Sequence, residues 1–257
     1  MQWDPQQYLS HGFADLRLRP ALDLLSRIGA EAPARVVDLG CGPGNVTDFL
    51  TRRWPDAEVI GIDSSEQMLA KADAKATGAS FRKADIADWR PERPVDVIYS
   101  NAALQWVDDH ETLFPQLAAQ LAPGGWLAIQ MPRNHGAASH QAMLETVEAG
   151  PWAARLGTAT RPAPVALPAQ YYTLLRPHCD SLDIWETIYL QQLEGENPVV
   201  EWTKGSALRP LLAALDGDEE RQAFEIAYGA RIREAYPPAP DGRTLFPFRR
   251  LFIVVRR

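Results

Sequence analysis

Up to residue 131 the chain alternates between two apolar rhythms. Short apolar runs of buried-strand type occupy Arg35–Leu39, Glu58–Ile62 (ending at Asp63), Ser80–Lys83 (running into Asp85), Val95–Tyr99 and Trp126–Met131. Between them, apolar positions fall at helical spacing. Val46, Phe49, Leu50 and Trp54 form one such set, closed by Pro55. Met68, Leu69 and Ala72 form another, behind a capping box of Ser64 and Gln67. Leu113, Leu117 and Leu121 form a third, ended by Pro123-Gly124-Gly125. Strands alternating with helices predict an α/β fold, an open parallel sheet wound on both faces by helices.

Beyond Met131 the rhythm changes. Residues 151–168 are rich in proline and alanine and read as an irregular connection. A strand-like stretch at Leu182–Leu190 follows, then helical segments at 207–215 and 218–236, a proline-rich turn, and the β-rich "RLFIVV" at Arg250–Val255. No internal repeat or long linker divides the chain. The expectation is a single domain over 1–257, with residues from about 30 to 133 as its ligand-binding half.

Composition narrows the possibilities. With 46% hydrophobic and 23% charged residues in 257, the chain reads as an ordinary soluble globular protein. A net charge of −7 argues against a nucleic-acid partner. Cys41 and Cys179 lie far apart without CxxC spacing, which suits a reducing cytoplasm. No apolar stretch approaches the roughly 20 residues that a membrane span needs, and the first residues do not resemble a secretory signal. His11, His110, His135, His140 and His178 share no metal-ligand spacing, so no metal is expected. Of these only His135, after "MPRN", is a pocket candidate. Oligomeric state is not legible.

The chemistry concentrates at "VVDLGCGPGN", where a strand breaks into Gly40, Gly42 and Gly44 directly after Asp38. In an open α/β sheet, ligands bind beyond the carboxyl ends of the strands. A dinucleotide fingerprint has the spacing G-x-G-x-x-G, with a pyrophosphate on the helix amino terminus. Here the spacing is G-x-G-x-G, and Asp38 would repel a pyrophosphate. Two unit charges about 4 Å apart interact by roughly 4 kcal/mol at an effective dielectric of 20. The same carboxylate attracts an ammonium. Asp63, about 20 residues on, stands where an acid accepts ribose hydroxyls. Asp85, with Ile86 beside it, stands where a carboxylate accepts from an adenine amino group. Ribose, adenine and an amino-acid ammonium together describe S-adenosyl-L-methionine, leaving S-adenosyl-L-homocysteine as product. Ser64, Met68 and Asn101, at or near strand ends, complete the cofactor candidates.

With "IGIDSSEQML", "ADIADW", "SNAALQWV" and "LAPGGWLAIQMP", this loop resembles the motifs of the class I S-adenosylmethionine-dependent methyltransferases. The resemblance implies a Rossmann-like seven-stranded sheet with an antiparallel last strand, supplied by "RLFIVV" beside Leu182–Leu190. It also implies helical additions over the carboxyl-end face. "NAALQWVDDHETLFPQL", "QMPRN", the pair Tyr171-Tyr172, "SALRP" and "RLFIVVRR" are similar to the branch of that class that esterifies trans-aconitate. That likeness implies a small polycarboxylic acid as acceptor. A methyltransferase acting on another acceptor, such as a malonyl group on a carrier protein, is the alternative. A nicotinamide-dependent oxidoreductase and a non-catalytic sensor of S-adenosylmethionine are more distant ones.

Carboxyl methylation needs no general base, because a carboxylate is already ionised at neutral pH. Alignment carries the rate, and no catalytic triad is recognisable. A polycarboxylate needs arginine forks. Arg209 and Arg250 match the resembling branch, whose pattern more often has proline then arginine where this chain has Arg249-Arg250. Strand alternation lets only one of those two face inward. Tyr171, Tyr172, Gln130, Trp106 and Trp202 are the further candidates for the acceptor pocket. In the resembling enzymes the first residues fold over the cofactor, which makes residues 1–20 a candidate lid with Trp3 and Tyr8 as its aromatic contacts.

Overall fold

A computed structural model describes residues 14–74, 78–157 and 165–257. The first stretch gives α1 (Ala14–Ser26), β1 (Arg35–Leu39), α2 (Thr47–Arg53), β2 (Glu58–Asp63) and α3 (Glu66–Asp73). Then come β3 (Ser80–Lys83), β4 (Val95–Asn101), α4 (His110–Ala119), β5 (Leu121–Pro132), α5 (Ala138–Ala149) and α6 (Ala153–Leu156). The last stretch holds α7 (Pro168–Leu175), β6 (Ser181–Leu193), α8 (Pro198–Lys204), α9 (Arg209–Ala213), α10 (Gly217–Ala235) and β7 (Thr244–Arg256).

The strands form one seven-stranded sheet in the order β3-β2-β1-β4-β5-β7-β6. Neighbours from β3 to β5 run parallel, and β7 runs antiparallel to β5. This is the doubly wound sheet with an antiparallel last strand that the sequence implied. Strand order reverses between β1 and β4, the switch point where such sheets hold ligands.

By compactness the chain divides into two units. Of the described residues, one unit comprises 14–132, 165–187 and 250–257; the other comprises 133–157 and 188–249. The core of the first is the near-continuous apolar content of its strands, as expected where both faces are covered. Val37, Leu39, Ile60, Ile98, Leu127, Ile129 and Ile253 are all essentially inaccessible. The second unit packs α5 against α10. There the Tyr228 hydroxyl donates to the Ser139 carbonyl and the Tyr236 hydroxyl accepts from the Ser139 amide.

Three local expectations shift. The cap of α3 is Ser65, whose hydroxyl accepts from the Met68 amide at 3.3 Å, one residue later than the capping box places it at Ser64. β5 begins at Leu121, which pairs with Val95, and bulges before Trp126 pairs with Val97. The glycines at the bulge bond to the end of the chain: Gly124 N–H donates to the Arg257 carbonyl, and Arg257 N–H to that of Gly125. Finally, α5, α7 and α8 are helices that the sequence pattern does not announce. Proline opens α7 and α8 as the first helical residue, where its missing N–H costs nothing. The buried side of α5 includes Ser139 and Thr146, which blurs its apolar stripe.

One hydrogen-bond chain ties distant parts of the first unit together. His110 Nε2–H donates to the Leu104 carbonyl (2.8 Å), which leaves Nδ1 bare to accept from the Tyr171 hydroxyl (2.7 Å). The Tyr171 oxygen in turn accepts from the Ala166 amide (3.1 Å). Burial holds the His110 pKa below its usual value, so the ring stays neutral and the chain keeps its polarity. Tyr171→Phe leaves two buried groups unpaired, at about 1–3 kcal/mol each before relaxation. Chemical denaturation is expected to show a loss of at least about 1 kcal/mol; unchanged stability would mean that water replaces the hydroxyl.

Candidate functional site

The loop after β1 takes its shape from three glycines with positive φ, each for a different reason. At Gly40 (φ 78°) a Cβ would lie 2.1 Å from the Cβ of Ala103, so the end of β1 touches the segment after β4 backbone to side chain. At Gly44 (φ 73°) a Cβ would press on Ala72 and Phe81 at 3.1–3.2 Å. At Gly42 (φ 54°) nothing among the described residues lies within 4 Å. Two glycines are therefore required by packing, and the middle one meets no described residue. Gly61, on β2 beneath the loop, carries no signal of its own in the sequence. A Cβ there would sit 2.5 Å from the Phe81 ring and 2.9 Å from Cys41 Sγ.

Asp63 fixes the loop. Its Oδ2 accepts from the Gly42 amide (2.9 Å) and its Oδ1 from the Ser65 amide (2.9 Å). One carboxylate thus joins the glycine turn to the start of α3. The amides of Gly40 and Cys41 both donate to the Ile62 carbonyl. Cys41 is buried, and burial pushes its thiol far above the ordinary range.

Asp38, 2% exposed, accepts a 2.6 Å bond from the Thr47 hydroxyl in the first turn of α2. Burial pushes its carboxyl up to about 7, against the lowering effect of Thr47 and with a further push from Asp63. Thr47 is a site residue that the sequence motifs do not name. A signal for it exists all the same: a hydroxyl nine residues after a strand-end acid, at the start of the following helix.

Register places a row of polar side chains on the Asp38 face of the sheet. Asp38 is paired with Tyr99; two residues on, Asn101 is paired with Gln130; Gln130 with Phe252; and Pro132 with Arg250. Side chains of paired residues share a face, as do residues two apart. Gln130 is fully buried, yet neither atom of its amide has a hydrogen-bond partner among the described residues. The same holds for Oδ1 of Asn101. Directly after Asn101, Ala102 takes φ 54°, a left-handed conformation costly for a residue with a Cβ. Its amide donates to the Gln130 carbonyl (2.9 Å). Trp185 stacks flat on Phe252 at 4.8 Å.

The remaining candidates fall in varied places. Arg250 is buried and Arg249 exposed, as strand alternation requires. Asp85 accepts from the Ala87 amide, whereas Ile86 is buried, within 3.5 Å of where a Gly40 Cβ would be. Ser64 is exposed and Met68 buried. Tyr171 is a core residue stacked on Phe114. Tyr172 and Trp106 are about half exposed. Trp202 is buried in the second unit against Phe246 and Phe248, and Arg209 is half-buried at the start of α9. His135 and His140 pair in that unit with ring centroids 5.1 Å apart, and burial lowers both. Trp3, Tyr8 and most of the candidate lid lie outside the described residues. Among the described residues no cluster of three metal-ligating side chains occurs, and no helix is long and apolar enough to cross a membrane.

A family model described as a methyltransferase domain matches residues 8–175. The chain is 51% identical over 255 residues to a trans-aconitate 2-methyltransferase of Azoarcus sp. (strain BH72), covering 99% of each chain. It is 47% identical over 256 residues to the enzyme of that name from Methylobacterium nodulans, with 99% of this chain and 98% of the relative covered. The Yersinia pestis (strain Pestoides F) enzyme is 48% identical over 254 residues, with 98% and 97% covered. Among solved structures, the YcgJ protein from Bacillus subtilis superposes with a TM-score of 0.61 at 14% identity, covering 93% of this chain and 98% of its own. A Haemonchus contortus phosphoethanolamine N-methyltransferase 2, solved with phosphomonomethylethanolamine and S-adenosylhomocysteine, gives 0.56 at 17% identity, covering 92% of this chain and 52% of its own.

The raised carboxyl of Asp38 has a measurable consequence. In the unfolded chain the group ionises near 4 and in the folded chain near 7. Its favourable contribution is complete below about pH 4 and is lost as pH rises through 7. Asp38→Asn, which keeps an acceptor for Thr47, is therefore expected to gain stability relative to the parent as pH rises from 4 to 7. The gain reaches up to a few kcal/mol, because each pH unit between the two ionisations is worth about 1.4 kcal/mol. Thermal midpoints of the ligand-free proteins across this range test it, and a pH-independent difference would show that Asp38 is solvated.

Proposed function

This chain belongs to the trans-aconitate 2-methyltransferase family, and from that premise we propose that it transfers a methyl group from S-adenosylmethionine to one carboxylate of trans-aconitate or a close polycarboxylic relative. The observation that carries the acceptor is identity of about half over practically the whole length of both chains. It extends through the region after residue 132, outside the strand–helix alternation that the glycine loop opens.

The donor set suits S-adenosylmethionine. Asp38 is a buried carboxyl held by the Thr47 hydroxyl, and an ammonium nearby would offset its desolvation. Gly42 offers backbone with no described side chain within 4 Å of where its Cβ would be. Asp63 retains lone pairs beyond its two backbone bonds for ribose hydroxyls. Ile86 gives an apolar wall for adenine, with Asp85 at its edge and Met68 and Ser64 on the adjoining segment. When bound, S-adenosylmethionine supplies a methyl group made electrophilic by its sulfonium.

The chain's own task is then to hold the acceptor still and dry. Arg250 brings a buried cation to the face that carries Gln130, and a guanidinium recognises carboxylate in a fork. The Gln130 amide donates to an acceptor carboxylate oxygen, and Asn101 sets the donor from the end of β4. Both side chains hold buried amide atoms without partners among the described residues, which is costly unless a ligand completes them. No proton has to move, because the acceptor arrives ionised. Two free cysteines suit a cytoplasmic setting.

Incubation with methyl-labelled S-adenosylmethionine and a panel of small acids, including trans-aconitate and citrate, tests the reading. Label is expected in trans-aconitate as a base-labile monoester. Gln130→Leu is expected to lower kcat/KM about tenfold or more, one lost hydrogen bond to a charged group. Bound S-adenosylmethionine with no acid labelled would overturn the acceptor class.

A further inference from the structure

The connection from β3 to β4, residues 84–94, crosses the sheet without forming a helix. Trp89 covers that face in place of one and leaves a cavity of about 60 Å³. Its floor is the face of β1, β2 and β3 opposite to Asp38. Register sets Arg35 beside Glu58, Val37 beside Ile60, and Ile62 beside Arg82. Arg35, Val37, Ile60, Ile62 and Arg82 all line the cavity, and Arg90 and Glu92 line its other side.

Arg35 is the unusual member. It is 6% exposed, and its Nε and Nη1 are buried without a hydrogen-bond partner among the described residues. Its nearest acid, Glu58, is 3.5 Å from Nε but bonds Arg93 at 2.7 Å, so that carboxylate is shared with a cation outside the cavity. Arg82 lies 3.9 Å from Glu92, whose side chain is mostly in solvent. Arg90 is pinned by the carbonyls of Ala87 and Trp89 and by Gln116 Oε1, which fixes its charge at the rim. The lining residues thus include three arginines and one glutamate, in a chain whose net charge is −7. Water could satisfy the N–H groups of Arg35, but it would leave the buried charge with only the shared Glu58 carboxylate as counterion.

We propose that this cavity is a binding site for a small oxyanion, a phosphate or a carboxylate, held by Arg35 with Arg82 and Arg90 around it. A single water needs roughly 10–15 Å³ of such space, so an ion of a few heavy atoms fits. The guanidinium fork matches the planar or tetrahedral oxygens of either class. The site is separate from the methyl-transfer site, because alternation along β1 turns Arg35 and Asp38 to opposite faces.

The full chain is titrated with phosphate, sulfate and acetate at ionic strength matched with potassium chloride, following heat of binding and thermal midpoint. A saturable rise over chloride is expected, and the order of the anions tells phosphate from carboxylate as the preferred class. Arg35→Gln is expected to weaken the anion about tenfold and Arg82→Gln about threefold, in line with lost charge-assisted contacts. S-adenosylmethionine affinity should stay unchanged in both. Arg82 is half in solvent, so its variant remains informative if Arg35→Gln does not fold. No gain over chloride, or an affinity unaltered in Arg82→Gln, would overturn the proposal. So would an effect that disappears in Gln130→Leu, since the anion would then be occupying the acceptor pocket.

Discussion

A carboxylate kept inside a sheet is the constraint around which this molecule is arranged. Asp38 sits on the interior strand β1, at the point where strand order reverses, and is buried there. The loop that follows cannot shield it with bulk, because Gly40 must meet Ala103 and Gly44 must meet Ala72 and Phe81. Compensation comes from Thr47 at the next helix start, and it is incomplete. The neighbouring Asp63 adds to the repulsion, yet it is indispensable, since it holds Gly42 and Ser65 together. The unliganded chain therefore stores an electrostatic cost at the place where a cationic ligand would discharge it.

Legibility follows the reach of the interactions involved. The limits of β1, β2 and β3 are readable to within a residue, because they depend on local apolar runs and the acids that end them. Asp38, the glycines and Asp63 are readable for the same reason: each is a residue type whose local chemistry leaves few alternatives. Ser64 passes for the cap of α3 because two adjacent serines satisfy one pattern, and only the chain direction fixed by Asp63 selects Ser65. Tyr171 cannot be separated from Tyr172 in sequence. One is core and the other half exposed, a difference set by His110, 61 residues away. The helices opened by Pro168 and Pro198 go unannounced in the sequence, since proline's tolerance at a first turn shows only once the rest of the turn is known. Whether Asn101, Gln130 and Arg250 share a face depends on pairing across β4, β5 and β7, which no local pattern states.

The two faces of β1 serve opposite electrostatic ends. Asp38 points to one side and the buried guanidinium of Arg35 to the other, three residues apart on one five-residue strand. Burying both signs of charge on so short an element demands partners from different parts of the chain: Thr47 for one, Glu58 for the other. The absence of a helix between β3 and β4 makes room on the Arg35 side. A full helix there would have to bury its apolar stripe against a guanidinium.

The placing of β7 bears on how the chain is made. This strand follows both β5 and β6 in the sequence, yet it lies between them. Throughout synthesis, β5 presents the edge along Ala128, Ile129 and Met131, all wholly buried in the finished fold, with no strand to pair it. An apolar edge left open while a ribosome is still at work invites pairing with another nascent chain. Yield in a crowded cell would then depend less on final stability than on how promptly residues 250–256 reach the gap they close.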